Sequence, residues 1–136
     1  MARVVLDPGV IVSGLLNPDG PPGHLLDAWV DGEFNLVVSP HLLEELSDVL
    51  LRPKLASRLD NTVVSDMLRL LREAAVMESD GPPAQVCRDP DDDYLVALAL
   101  ATGSLLVSGD KDLLSVQVEH LEVLVPAEAA ARLLPT

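Results

Sequence analysis

Residues 88–107 read Arg88-Asp89-Pro90-Asp91-Asp92-Asp93-Tyr94-Leu95-Val96-Ala97-Leu98-Ala99-Leu100-Ala101-Thr102-Gly103-Ser104-Leu105-Leu106-Val107. An acid cluster opens the stretch, a segment of helical length follows, and a short apolar run closes it. From Leu95 to Ala101 every residue is apolar, so a helix there has no solvated face and is predicted to be central. Leu105–Val107 is short and β-compatible and reads as a buried strand. The same alternation repeats outward along the chain. Arg3–Leu6, Asn35–Val38 and Glu122–Val125 read as further strands, with Ala75–Glu78 a candidate fifth. Between them lie helical patterns near 23–31, 41–52, 62–75 and 91–102, with a terminal one near 127–134. Strands alternating with helices predict an α/β fold with a mainly parallel sheet of four to five strands, covered on both faces. Ligands of such sheets gather at the carboxyl ends of the strands. The polar residues just after each strand are therefore the candidates for chemistry.

The bulk composition sets the limits of the reading. A chain of 136 residues, 49% hydrophobic, suits one domain over 1–136 with a real core. Its aromatics are only Trp29, Phe34 and Tyr94, so the core must be built from Leu, Val and Ala. Cys87 is the single cysteine, which excludes an internal disulfide and a cysteine-based zinc site. The apolar run from Val4 to Leu16 is broken by Asp7 and Pro8, lacks a basic flank and is too short to span a bilayer. No membrane segment and a cytoplasmic location are expected. Nine basic against 22 acidic residues give a net charge of −13, the wrong overall sign for a phosphate binder. Five of the nine, however, are Arg52, Lys54, Arg58, Arg69 and Arg72, a local patch that could contact RNA.

Most of the acids serve solvation, but some sit where solvation does not require them. Asp7 directly follows the strand Val4–Leu6; its simplest role is to cap a helix whose first residue is Pro8. Within 40–52, Leu42, Leu46, Val49 and Leu50 form an apolar stripe. Glu44 lies away from the stripe, with His41, Ser47 and Asp48, and points to water. Glu45 borders the stripe, where an ionised carboxylate is costly unless paired or metal-bound. Four acids at the mouth of the 94–102 helix exceed what capping needs, and Asp92, sharing a face with Val96 and Ala99, is the one expected to point inward. Asp110 and Asp112 follow the strand Leu105–Val107 in a turn of Ser108-Gly109-Asp110-Lys111-Asp112, which taken alone decides nothing. His24, His41 and His120 are scattered and expected to be superficial. Oxygen-only ligands form a hard site that selects Mg²⁺ or Mn²⁺ over zinc, and such ions bridge carboxylates and phosphates.

Together these blocks resemble a PIN-domain nuclease of the VapC-type toxin superfamily. The resemblance rests on Val4-Val5-Leu6-Asp7, on Val37-Val38-Ser39-Pro40-His41-Leu42-Leu43-Glu44-Glu45-Leu46, on Arg88-Asp89-Pro90-Asp91-Asp92-Asp93, and on Leu106-Val107-Ser108-Gly109-Asp110-Lys111-Asp112-Leu113. It implies a three-layer α/β/α sandwich and a catalytic set of Asp7, Glu45, Asp92 and Asp110. It further implies metal binding by Asp7, Asp92, Asp110 and Asp112, with Ser108 and Asp93 supporting these ligands from behind. Similar proteins are single-strand-selective ribonucleases that often dimerise and are silenced by a small antitoxin protein. In one respect the chain departs from the pattern: Pro8 and Gly9 stand where similar proteins carry Thr or Ser and then Asn. Pro8 offers neither a hydroxyl nor an N–H, and losing a supporting hydrogen bond typically costs about 10–100-fold in metal affinity or activity.

Three functions therefore compete. The first is a metal-dependent endoribonuclease that hydrolyses phosphodiester bonds of single-stranded RNA. The second is a weakly active or inactive PIN scaffold that binds a basic antitoxin. The third, a phosphatase of the haloacid dehalogenase type, needs an acid two residues after Asp7, where Gly9 stands. With so few aromatic residues, RNA recognition by base stacking is not expected, and backbone contacts from the basic patch would carry it.

Overall fold

The computed structural model describes residues 1–135. In chain order the elements are β1 (Arg3–Leu6), α1 (Pro8–Leu16), α2 (Pro21–Val30), β2 (Asn35–Val38), α3 (Pro40–Leu50), α4 (Pro53–Ala56) and α5 (Asn61–Ala74). There follow β3 (Val76–Met77), a 3-10 turn (Pro90–Asp92), α6 (Asp93–Thr102), β4 (Leu105–Val107), α7 (Lys111–Leu114), β5 (Val123–Leu124) and α8 (Pro126–Leu133). Prolines 8, 21, 40, 53 and 126 each stand at a helix's first position. There the missing N–H removes no hydrogen bond and the ring already holds a helical φ.

The five strands form one parallel sheet in the order β3-β2-β1-β4-β5, flanked by helices in a three-layer α/β/α sandwich. Val4, Val5 and Leu6 are fully buried, as are Val37 and Val38 in β2 and Leu106 and Val107 in β4. Successive strand residues point to opposite faces, so burial of every one requires cover on both sides of the sheet. Helix α6 provides part of it, packing on β1 and β4. Leu95 through Ala99 are buried without a break, as a central helix requires. Its last turn reaches the surface, with Leu100 half-buried and Ala101 exposed.

The predicted central strands 3–6, 35–38 and 105–107 match the observed ones residue for residue. The outer two shrink to two residues each, because an edge strand has hydrogen-bonding partners on one side only. The helical pattern near 91–102 divides into the 3-10 turn and then α6. Helices α4 and α7, four residues each, are too short to produce a periodic pattern. Among the described residues no helix is long and apolar enough to cross a membrane.

The connectivity locates the site. From β1 the chain moves outward through β2 to β3, then returns by α6 to β4 on the opposite side of β1. The crevice between the carboxyl ends of β1 and β4 is thus the topological switch point, where open α/β sheets bind their ligands.

Candidate active site

Register brings the first two site residues together. Leu6 pairs with Val107 across β1 and β4, so Asp7 and Ser108 emerge side by side from the sheet. The Asp7 N–H continues the ladder to the Val107 carbonyl at 3.0 Å. The buried Ser108 hydroxyl donates to Asp7 Oδ2 at 2.7 Å, and the Asp110 N–H donates to Ser108 Oγ at 3.0 Å. Asp7 Oδ1 takes the Gly9 N–H at 3.0 Å as the side-chain cap of α1. Both Asp7 oxygens are therefore held. Pro8 contributes no hydrogen bond, but Ser108 on the neighbouring strand and Gly9 on the following turn do. Asp110 caps α7, accepting the Asp112 N–H at 2.8 Å, which fixes the turn carrying both acids.

Asp92 joins this group from the 3-10 turn. Its carboxyl pKa is raised to about 7, first by burial and then by the negative charges of Asp110, Asp89 and Asp7. Acids from the ends of β1 and β4 and from the 3-10 turn thus act together on the Asp92 carboxyl. Cys87 feels the same field: burial and then Asp93, Asp92, Asp110 and Asp112 push its thiol up to about 11, so it is protonated and unreactive near neutrality. The ion pairs among the described residues join Arg3 to Glu78, Arg69 to Asp66 and Arg132 to Glu122. None of them neutralises Asp7, Glu45, Asp92, Asp110 or Asp112.

The expectation that Asp92 is the inward-pointing acid is corrected by its neighbour. Asp93 is only 7% exposed, whereas Asp92 is half-buried. Pro90–Asp92 form a 3-10 turn and the regular helix starts at Asp93, whose side chain takes the interior direction. Its Oδ2 accepts the Gln85 N–H at 2.8 Å, and its Oδ1 accepts Val86 at 2.8 Å and Cys87 at 3.2 Å. Burial alone would push the Asp93 carboxyl up, yet these backbone N–H groups hold it below its ordinary range. Gln85 takes a positive φ of 58°, so Asp93 fastens an otherwise strained loop to the start of α6. It supports the site by holding backbone.

Glu45 lies half-buried on α3, as its place beside the apolar stripe predicts, and Glu44 is exposed. The Glu45 carboxylate accepts a hydrogen bond from the Tyr94 hydroxyl, which reaches it from the first turn of α6. Burial, and then Glu45, Asp7 and Asp92, raise the Tyr94 pKa, so the hydroxyl stays a donor. His41 is exposed, as predicted, but its ring stacks on Tyr94 with centroids 3.8 Å apart and planes 9° from parallel. Sequence reasoning missed both rings. The available signal was a lone tyrosine at the mouth of an aliphatic helix, directly after the acid run. Pro40, His41, Glu44, Glu45, Asp80 and Asp91 help line an open cavity of about 640 Å³ here. Asp7 and Gly109 line a smaller one of about 230 Å³.

The basic patch is exposed throughout. Arg52 and Lys54 lie at and in α4, Arg58 follows it, and Arg69 and Arg72 ride on α5. Arg69 is paired with Asp66 at 2.9 Å. None of the five lines either cavity beside the acids.

The donor chemistry suits a hard divalent cation. Among the described residues no three acid, imidazole or thiol groups already surround a single point. Mg²⁺, however, keeps several waters and is bound through one or two carboxylates plus substrate phosphates, so it needs no closed protein cage. Oxygen ligands and uncompensated charge raising Asp92 are the features such an ion would satisfy.

Opposite stability effects are expected from the two adjacent acids. Asp93→Asn replaces a charged acceptor of three backbone N–H groups and should cost about 2–3 kcal/mol, read as a lower urea midpoint by Trp29 fluorescence. Because the Asp93 pKa is depressed, its contribution is present above its ordinary value and lost as pH falls through the folded one. Asp92 behaves the other way: its folded pKa is raised, so its contribution is full below its ordinary value of 3.8 and lost as pH rises through about 7. In EDTA the wild type should lose stability between about pH 4 and about pH 7, and Asp92→Asn should flatten that loss. Equal slopes in the two proteins would contradict the charge crowding.

The PIN domain family model matches residues 3–112, a span that holds every candidate carboxylate from Asp7 to Asp112. MJ1680, an uncharacterized protein of Methanocaldococcus jannaschii, is 32% identical over 136 residues, covering 93% of this chain and 88% of that protein. The fold is similar to the crystal structure of PAE2754 from Pyrobaculum aerophilum, with a TM-score of 0.64 at 16% identity, over 98% of this chain and 89% of that one. With the family's match running from β1 into α7, the chain belongs to the PIN domain family.

Proposed function

We propose that this PIN domain is a Mg²⁺- or Mn²⁺-dependent endoribonuclease that hydrolyses phosphodiester bonds of single-stranded RNA. The observation that carries the proposal is the meeting of Asp7, Asp92 and Asp110 at the switch point without a paired cation. The nuclease-like fold of the family supports it.

In this reading Asp7, Asp92 and Asp110 hold the ion, with Asp112 beside them. When bound, it supplies charge neutralisation and Lewis acidity at the scissile phosphate. The chain's own residues do the rest. Ser108 and the Gly9 N–H keep Asp7 aimed into the crevice, and Asp93 keeps the loop and the start of α6 in place. Tyr94 orients the Glu45 carboxylate, which accepts a proton from the attacking water as it adds to phosphorus. The bond to the leaving ribose oxygen breaks, and a proton from solvent completes hydrolysis. Because Asp7 keeps both of its hydrogen bonds despite Pro8, this reading is favoured over an inactive antitoxin-binding scaffold.

Purified protein is expected to cleave RNA in Mn²⁺, and to lose cleavage in EDTA and in Asp92→Asn. No cleavage by a folded sample across a range of RNAs would move the assignment to the scaffold. We assign RNA backbone contacts to Arg52, Lys54, Arg58, Arg69 and Arg72. Charge reversal at Arg58 and Arg69 should weaken RNA binding and flatten its salt dependence; unchanged affinity removes the patch from the interface. By resemblance, a homodimer regulated by an antitoxin protein is also proposed. Light scattering should give twice the chain mass, and monomer alone at high micromolar concentration would exclude the dimer.

A further inference from the structure

His41, stacked on Tyr94, lines the 640 Å³ cavity, and neither holding the metal nor orienting Glu45 requires it. Tyr94 donates to Glu45 through its hydroxyl, whatever lies on its ring face. His41 is the exposed member: Tyr94 covers one face of its imidazole, and the residue lines the cavity. The cavity lies within the about 300–1,000 Å³ usual for small-molecule sites. Its lining includes Glu44, Glu45, Asp48, Asp80 and Asp91 but no lysine or arginine. A phosphate would be repelled there. A flat, neutral, hydrogen-bond-donating ring would be accepted.

Asp80 gives the cavity a fixed acceptor. Its Oδ2 takes the His41 backbone N–H at 3.0 Å, which holds the carboxylate on the wall of the cavity that His41 also lines. Helix α3 is already capped by Ser39, whose Oγ accepts the Leu42 N–H at 3.2 Å, so Asp80 is not needed to start the helix. A carboxylate in the same cavity as a stacking ring matches two adjacent donors on the edge of a base. Guanine presents such a pair through its ring N–H and exocyclic amine. Uracil offers one N–H between two carbonyls, which a carboxylate repels.

We propose that this cavity is a nucleobase subsite in which His41, backed by Tyr94, stacks the base and Asp80 reads its edge, favouring guanine over uracil. The subsite rests on the ribonuclease reading for its biological substrate, since it places the base next to the bond cut near Glu45. Its binding chemistry needs no phosphate, no metal and no turnover. Base stacking, not expected from so few aromatics, is thus supplied by two rings brought together by α3 and α6.

The test uses phosphate-free probes. Guanosine and uridine are titrated onto the full chain in EDTA while the ring resonances of His41 and Tyr94 are followed by NMR. Guanosine should shift both rings and bind more tightly than uridine. His41→Ala should weaken guanosine binding about 5- to 150-fold, the range expected for one stacked base. His41→Phe, which keeps a flat ring, should retain it and so separates stacking from a folding defect. Asp80→Asn should cut the preference for guanosine by about tenfold, as for loss of one bidentate base contact. Undisturbed His41 and Tyr94 resonances, or equal binding of uridine that Asp80→Asn leaves unaltered, would overturn the proposal. Guanosine on His41 without RNA cleavage would uphold the subsite and remove the nuclease reading; RNA cleavage with no nucleoside on His41 would do the reverse.

Discussion

Repulsion among carboxylates that the fold forces together is the constraint around which this molecule is arranged. Asp7 leaves β1, Asp110 follows β4, and Asp92 precedes α6; the strand order makes their ends neighbours. Left alone, such charges would move apart or protonate. Here they are fixed by hydrogen bonds: the Gly9 N–H and the Ser108 hydroxyl hold Asp7, and the Asp112 N–H holds Asp110. Asp92 has no side-chain cap bond, and burial with the neighbouring carboxylates pushes its carboxyl up. An arrangement of this kind opposes folding locally and persists because the surrounding sheet over-determines it.

Asp92 and Asp93 illustrate how environment divides identical side chains. One residue apart, their pKa values move in opposite directions. Asp92 meets other carboxylates, and Asp93 meets three backbone N–H groups. Capping of a helix, an adequate reason for an acid run when only composition is considered, applies to neither in the ordinary sense. Asp93 holds a loop, and Asp92 contributes charge to a site. A carboxyl pushed up by burial and neighbouring carboxylates, as Asp92 is, is the kind of group that clusters at functional sites.

The stacked rings follow from the same economy. Trp29 and Phe34 are buried in the core with Leu, Val and Ala, and Tyr94, half-buried in the first turn of α6, spans two roles. Its hydroxyl serves Glu45 and its face supports His41. Helices α3 and α6 are about fifty residues apart in sequence, so neither role belongs to a local motif. The PIN family match spans both rings as well as the acids, but the ring pair is made only by contact between α3 and α6.

By itself, the sequence determined what depends on local pattern. Buried strands at 3–6, 35–38 and 105–107 follow from short apolar runs, and the central helix follows from Leu95 to Ala99, because burial on every side admits no polar residue. The candidate acids were legible for the same reason: Asp7, Glu45 and Asp110 stand where carboxylates are costly or lie just beyond a strand. Tertiary structure alone decided what depends on contacts across the sheet. It set the strand order, turned Asp93 rather than Asp92 to the interior, brought Tyr94 to Glu45 and His41 onto Tyr94, and set Ser108 against Asp7. Spacing along the chain carries no information about such pairs, because a parallel sheet joins residues through crossovers whose length does not encode their destination.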